Sequence, residues 1–115
     1  MIVVTRYRVN DQDSSEGGVI EHAQGFGERL SAVAAIFAGK PGFLDATVAR
    51  NVDEPDLWTL VTRWRNVGSY RRALSAYDVK LHAVPLLSQA LDEPSAYEVY
   101  TGESELNRAE LRSLD

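Results

Sequence analysis

The 115-residue chain contains no cysteine. Disulfides, thiolate nucleophiles and zinc–cysteine sites are therefore excluded. Histidine is scarce too, with only His22 and His82, and this argues against a metal centre. Basic residues are in deficit: 12 Lys and Arg stand against 17 Asp and Glu, for a net charge of -5. A nucleic-acid binder normally shows the opposite balance. No apolar run approaches the roughly 20 residues needed to cross a bilayer. Met1-Ile2-Val3-Val4-Thr5-Arg6 is not a charged leader followed by a long apolar stretch, so no signal peptide is expected. A cytoplasmic protein without nucleic-acid or membrane partners is the expectation. Gly25-Phe26-Gly27 does not follow a strand and lacks the continuation of a phosphate loop, and no serine sits in a nucleophile elbow.

What is present is the balance of an ordinary globular domain, 44% hydrophobic and 25% charged. Ile2 to Val9 alternates and is rich in Val, Thr and Tyr, which predicts a strand. A polar loop runs from Asn10 to Gly18. From Glu21 to Ala38, Phe26, Leu30, Val33 and Phe37 recur at spacings of three and four, one apolar stripe of a helix. Gly39-Lys40-Pro41-Gly42 ends it. Phe43 to Val52 and Leu57 to Arg65 are predicted strands joined by a turn at Asp53-Glu54-Pro55-Asp56, which makes an antiparallel hairpin. Short helices follow over Ser69 to Ala76 and Val79 to Val84, the second capped by Asp78. Pro85 starts a separate turn through Ala90. Ala96 to Thr101 is a last strand. Glu103 to Asp115 is a charged tail in which Leu106, Leu111 and Leu114 mark a weak helix, so the domain itself spans residues 1–102. The order β-α-β-β-α-α-β is that of an α+β, ferredoxin-like fold with an antiparallel sheet.

Helices on one face leave the other face of such a sheet open. In the third strand Trp58, Leu60, Thr62 and Trp64 share one side, and Thr59, Val61, Arg63 and Arg65 the other. In the first strand the sides are Val3, Thr5, Tyr7 and Val9 against Ile2, Val4, Arg6 and Arg8. Neither side is uniformly polar, as a one-sided sheet should be. The second face therefore calls for a cover, and a second copy of the chain, in a homodimer, is the expected one. Arg63 and Arg65 point away from Trp64 and are candidates for ion pairs in that dimer. The alternative is a solvated face along which arginine stems lie.

Lys40-Pro41-Gly42-Phe43-Leu44 leading into a hairpin, then Thr62-Arg63-Trp64 and Tyr70, resembles the antibiotic-biosynthesis monooxygenase family of dimeric α/β barrels. The likeness covers residues 2 to 101. It implies a pocket between sheet and helices in each subunit. For the oxygenase members it also implies oxidation of phenols, anthrones or quinols by dioxygen, with no flavin, haem or metal. Such chemistry needs a deprotonated substrate, a cavity that excludes water and polar groups for the developing anion. In the anthrone-oxidising members a Trp at the end of the third strand is followed six residues later by a Tyr, here Trp64 and Tyr70. Those members place an Asn four residues before the Trp, and here that position is Leu60. A haem-degrading branch uses an Asn, a Trp and a His where this chain has Tyr7, Ala73 and His82, so two of three positions differ and haem degradation is not implied.

Five side chains are candidates for a site. His82, whose ordinary pKa of about 6.5 suits a general base, is expected to turn into the pocket from its helix. The plain alternative is a histidine at a helix surface. Trp64 is a pocket wall with an indole N–H for a substrate oxygen, or simply core. Tyr70 and Tyr77, seven apart on the helical segment, and Tyr7 on the first strand are candidate donors to an oxyanion, or packing residues with hydroxyls at a rim. His22 reads as solvated and Arg71-Arg72 as a solvated helix face. The expected function is a cofactor-independent monooxygenase acting on a small aromatic molecule of quinol, anthrone or polyketide type. The rival is a non-catalytic binding or structural dimer of the same fold, favoured by the missing polar partner at Leu60.

Overall fold

The computed structural model describes residues 1–9 and 19–102, apart from the side chains of 19–24. The expected loop over 10–18, the role of His22 and the weak helix of the tail lie outside the described residues. β1 (Ile2–Arg8) is followed by α1 (Val19–Ala38), β2 (Phe43–Arg50), β3 (Leu57–Trp64), α2 (Val67–Leu74), α3 (Tyr77–His82), α4 (Val84–Leu87) and β4 (Ala96–Tyr97). The sheet order is β2-β3-β1-β4, antiparallel throughout. This is the split β-α-β arrangement of an α+β ferredoxin-like fold: β3 lies between β1 and β2, and α1 crosses over it.

The predicted stripe of α1 is the buried one: Phe26, Leu30, Val33 and Phe37 are all in the core. The following turn depends on its residue types. Phe43 N–H donates to the Lys40 carbonyl at 3.2 Å, Pro41 and Gly42 are the central residues, and Gly42 has φ +86°. Proline followed by a positive-φ glycine is the pattern of a type II turn. A side chain at Gly42 would also collide with Ser69, so the same glycine lets α2 sit against the turn. In the β2–β3 hairpin the Asn51 side chain accepts from the N–H groups of Asp53 and Glu54 at 2.9 and 2.8 Å, a local turn that needs a short amide or carboxylate.

Most boundaries differ from the sequence expectation by one or two residues, and three of the differences have a visible cause. α2 starts at Val67 rather than Ser69, because Asn66 is its N-cap and accepts from Ser69 N–H at 2.8 Å. α3 starts at Tyr77, with Ala76 as N-cap and Asp78 inside the first turn; Asp78 instead receives Lys40 at 2.7 and 2.8 Å. β4 holds two residues rather than six. Ala96 pairs with Val3 and Tyr97 with Ile2, the first residue of β1, so the ladder stops where β1 itself starts.

The alternation of β1 and β3 sorts by burial over most of its length, Leu57 at the hairpin end being buried although it alternates with Thr59 and Val61. Val3, Tyr7, Leu60, Thr62 and Trp64 face the helices and are buried. On the other face Val4, Thr59 and Val61 are half-buried and Arg8 and Arg63 are exposed. The arginines of this open face are tied to carboxylates at its margins. Arg6 meets Glu93 at 2.7 Å, Arg8 meets Glu54 and Asp56 at 3.0 and 2.9 Å, and Arg63 meets Asp45 at 3.4 Å. Arg63, expected in an ion pair across a dimer, thus pairs within its own chain. No helix among the described residues is long and apolar enough to cross a membrane.

Candidate functional site

Between the helix face of the sheet and the helices lies a cavity of about 370 Å³, within the size range of small-molecule sites. Its floor is β1 and β3 (Val3, Thr5, Leu60, Thr62). Phe37 of α1, Tyr70 and Leu74 of α2, and Val84 and Leu87 of α4 form its walls, and the segment from Ser88 to Ser95 closes one side. That segment is held against β1 by Leu91 N–H donating to the Arg6 carbonyl at 2.8 Å and by Val4 N–H donating to the Ser95 carbonyl at 2.7 Å. Most of the lining is aliphatic or aromatic carbon.

The polar groups at this surface are few, and most have partners. Tyr7 O–H donates to Thr5 Oγ1 at 2.9 Å, and Thr5 Oγ1 donates to the Leu60 carbonyl at 3.3 Å. Trp64 Nε1–H donates to Thr62 Oγ1 at 2.8 Å. Ser88 Oγ donates to the Pro85 carbonyl at 2.9 Å. Glu93 is held by Arg6 through two bonds of 2.7 Å. These bonds with Arg6 keep its carboxyl below the usual carboxylate range. Burial pushes the phenols of Tyr7 and Tyr70 above the ordinary tyrosine value, Tyr7 despite the opposing bond with Thr5. Both therefore stay protonated at neutral pH and act as hydrogen-bond donors, not bases. Among the cavity-lining residues the ionisable ones are Tyr70 and Glu93.

The five candidate residues separate into two groups. Tyr70 lines the cavity. Trp64 lies beneath it, fully buried, with ring centroids at 5.5 Å from Phe37, 5.4 Å from Phe43 and 5.6 Å from Tyr70. It is a core residue behind the cavity wall, and its indole N–H is engaged by Thr62. Tyr7, 1% exposed, is likewise a buried neighbour whose hydroxyl reaches the cavity through Thr5. Tyr77 and His82 are elsewhere. Tyr77 is 78% exposed. The helix breaks at Ser75–Ala76, where Ala76 has ψ 143°, so the seven-residue spacing from Tyr70 does not run along one helix. His82 is exposed and does not line the cavity. The buried side of α3 is Val79 and Ala83, one turn apart, and His82 falls on its flank rather than turning inward as expected.

Thr5, Thr62 and Glu93 are among the site residues that sequence reasoning did not single out. For Thr62 the signal was present, since it alternates with Leu60 and Trp64 on the helix-facing side of β3. A hydroxyl on an otherwise apolar face is the mark of a placed polar group.

Residues 20–82, more than half of the chain, match the family model for antibiotic biosynthesis monooxygenase. The chain belongs to that family. Among solved structures this family member is similar to a variant of SnoaB, a cofactor-independent oxygenase from Streptomyces nogalater. The identity is 25% and the TM-score 0.63, over 88% of this chain and 90% of that one. SnoaB itself gives 24% identity and a TM-score of 0.64, over 88% and 94%. A conserved protein from Methanosarcina mazei Go1 shares the fold at 22% identity and a TM-score of 0.60, over 86% and 88%. No curated protein sequence matches the chain.

Proposed function

We propose that this family member is a cofactor-independent monooxygenase that oxidises an electron-rich aromatic molecule of quinol, anthrone or polyketide type in the cavity between sheet and helices. The observation that carries the reading is that cavity, of about 370 Å³, apolar but bordered by the hydroxyls of Thr62 and Tyr70. An apolar enclosure of this kind excludes water from a reactive carbanion or phenolate, and a few fixed donors favour the anion over the neutral molecule. For an anthrone the balance closes without an external reductant. The methylene carbon takes up one atom of O₂ as a carbonyl, and the two methylene hydrogens leave with the other atom as water.

Two features shape the mechanism. Tyr7 and Tyr70 are kept neutral by burial; Tyr70, which lines the cavity, serves as a donor toward the substrate oxygen, while Tyr7 gives its hydrogen to Thr5. His82 lies outside the cavity, so the reading gives it no part as base, and the substrate's own ionisation supplies the anion. The chain acts as a homodimer joined through the open sheet face. There Val4 and Val61 form a half-buried strip whose flanking arginines are already paired within the chain.

The test is oxygen uptake by the metal-free protein with anthrones, quinols and catechols across pH 6 to 10. The expected rate rises with the fraction of ionised substrate, shows no inflection near 6.5, and is unchanged by His82→Ala. No uptake across the panel, with binding retained, would favour the second reading, a non-catalytic binding dimer. That reading draws on Leu60 standing where the anthrone-oxidising members have an amide, and on His82 lying outside the cavity.

A further inference from the structure

Two threonines on the cavity floor make the same kind of contact but are left in different states. Each accepts a hydrogen bond from the aromatic residue two positions on, Thr5 from Tyr7 and Thr62 from Trp64. A threonine hydroxyl carries one hydrogen and two lone pairs. Thr5 has spent its hydrogen on the Leu60 carbonyl at 3.3 Å. Thr62 Oγ1 only accepts, at 2.8 Å, and its own hydrogen finds no acceptor among the described residues. The residue is 2% exposed, so bulk water is no substitute, and the space it borders is the cavity. A buried donor with nowhere else to go is a group kept for a ligand.

We infer that the Thr62 hydroxyl is the donor to the substrate oxyanion, with Trp64 as the positioning residue behind it. This rests on the oxygenase reading of the same cavity and names the residue that takes up the task of the amide absent at Leu60. The indole N–H fixes the hydroxyl rotor by occupying a lone pair, which leaves the O–H directed away from Trp64. It also polarises that O–H, since a hydroxyl that accepts one hydrogen bond donates a stronger one. Donation to a phenolate or enolate oxygen is charge-assisted and stronger than donation to the neutral group, so the contact favours the ionised substrate that reacts with O₂.

The experiment pairs turnover with a binding measurement that needs no turnover. Oxygen uptake with 1,8-dihydroxyanthrone is measured for the wild type, Thr62→Ser, Thr62→Val and the double variant Thr62→Val with Trp64→Phe. The double variant removes the indole N–H that Thr62→Val alone would strand. Separately, 2-naphthol is titrated in each protein and its phenolate followed by absorbance. The expected result is a kcat about 100-fold lower in both Val variants with KM little changed, as for loss of one oxyanion donor, and within a few-fold of wild type in Thr62→Ser. Naphtholate should bind the Val variants about tenfold more weakly than the wild type, while neutral naphthol binds equally. Wild-type kcat and naphtholate affinity in the Val variants would overturn the role of Thr62 and leave the oxygenase reading standing. Selective naphtholate binding that depends on Thr62, without oxygen uptake by the wild type, would sink the oxygenase reading and keep the anion site. No binding of either probe to the wild type would overturn both.

Discussion

The two faces of one sheet carry similar residues and have different fates. On both β1 and β3 each face mixes aliphatic side chains with polar ones. On the helix face the polar members are threonines and aromatic hydroxyls or N–H groups: Tyr7 and Trp64 each bond the threonine two residues back, Thr5 passes its hydrogen to the Leu60 carbonyl, Thr62 borders the cavity, and the buried Trp58 Nε1–H has no partner among the described residues. On the open face the charged members of β1 and β3 are arginines that reach sideways to carboxylates at the margin, and Thr59 gives its hydroxyl hydrogen to the Thr5 carbonyl, leaving Val4 and Val61 in the middle. What differs is the reach of the polar group. A threonine can be buried with its partner, whereas an arginine must carry its head to the edge. A mixed alternation therefore does not mean two similar faces. It describes one face built to enclose a small polar inventory and another built to clear charge from its centre, which is what a homodimer through that face would need.

The comparison is broken most severely at Trp64. It is fully buried and touches Phe37, Phe43 and Tyr70, so Trp64→Ala should cost about 3–5 kcal/mol in chain stability, measured by urea denaturation. A loss below about 1 kcal/mol would mean that the helix face is far more loosely packed than described. Next is Gly42→Ala, expected to cost about 1–3 kcal/mol because the residue has a positive φ and the new Cβ meets Ser69. Gly39→Ala is the control. Nothing lies within 4 Å of a Cβ there, so its effect should be near zero. Equal effects at the two glycines would refute the turn geometry.

On the open face the expected cost to the chain itself is small. Val61→Glu should change monomer stability by no more than about 0.5 kcal/mol, yet it places like charges face to face in the proposed dimer. Sedimentation should show the wild type at twice the chain mass and the variant at the chain mass. A dimer that survives Val61→Glu would remove the open face from consideration as the interface.

Much of this was legible from residue spacing alone. The stripe of α1, the Pro-Gly turn, the hairpin and the two faces of β3 each follow from local patterns, and local patterns sufficed because neighbours in sequence decide them. The misreadings share the opposite cause. The length of β4 depends on where β1 begins, which is a property of the partner strand. The separation of Tyr77 from Tyr70 depends on a helix break at Ala76, a position with no proline or glycine to announce it. The placement of His82 depends on which side of a six-residue helix is buried, and Val79 and Ala83 decide that against it. Within the candidate site, Tyr70 was legible through its spacing from Trp64. The distinction between Thr5 and Thr62 was not, because it rests on a single carbonyl across the strand pair.

The smallest expected effect concerns pH, and it separates the margins of the sheet from its centre. Asp56, Asp78 and Glu93 are held below the usual carboxylate range by their bonds with Arg8, Lys40 and Arg6. In the unfolded chain these carboxyls return to about 4. As pH falls, the unfolded state takes up protons first, so the stabilisation is full above about pH 4 and drains away below it, as pH passes through the depressed folded values. All three pairs are partly exposed, so salt should screen them. The measurement is the urea midpoint at pH 6 and pH 3, in low salt and in molar sodium chloride. A modest acid decline in low salt, shallower in high salt and shallower again in Lys40→Met, is expected. A decline that ignores both salt and Lys40 would place the acid sensitivity elsewhere than in these marginal pairs. Arg6, Arg8 and Lys40 would then serve mainly by where their stems lie.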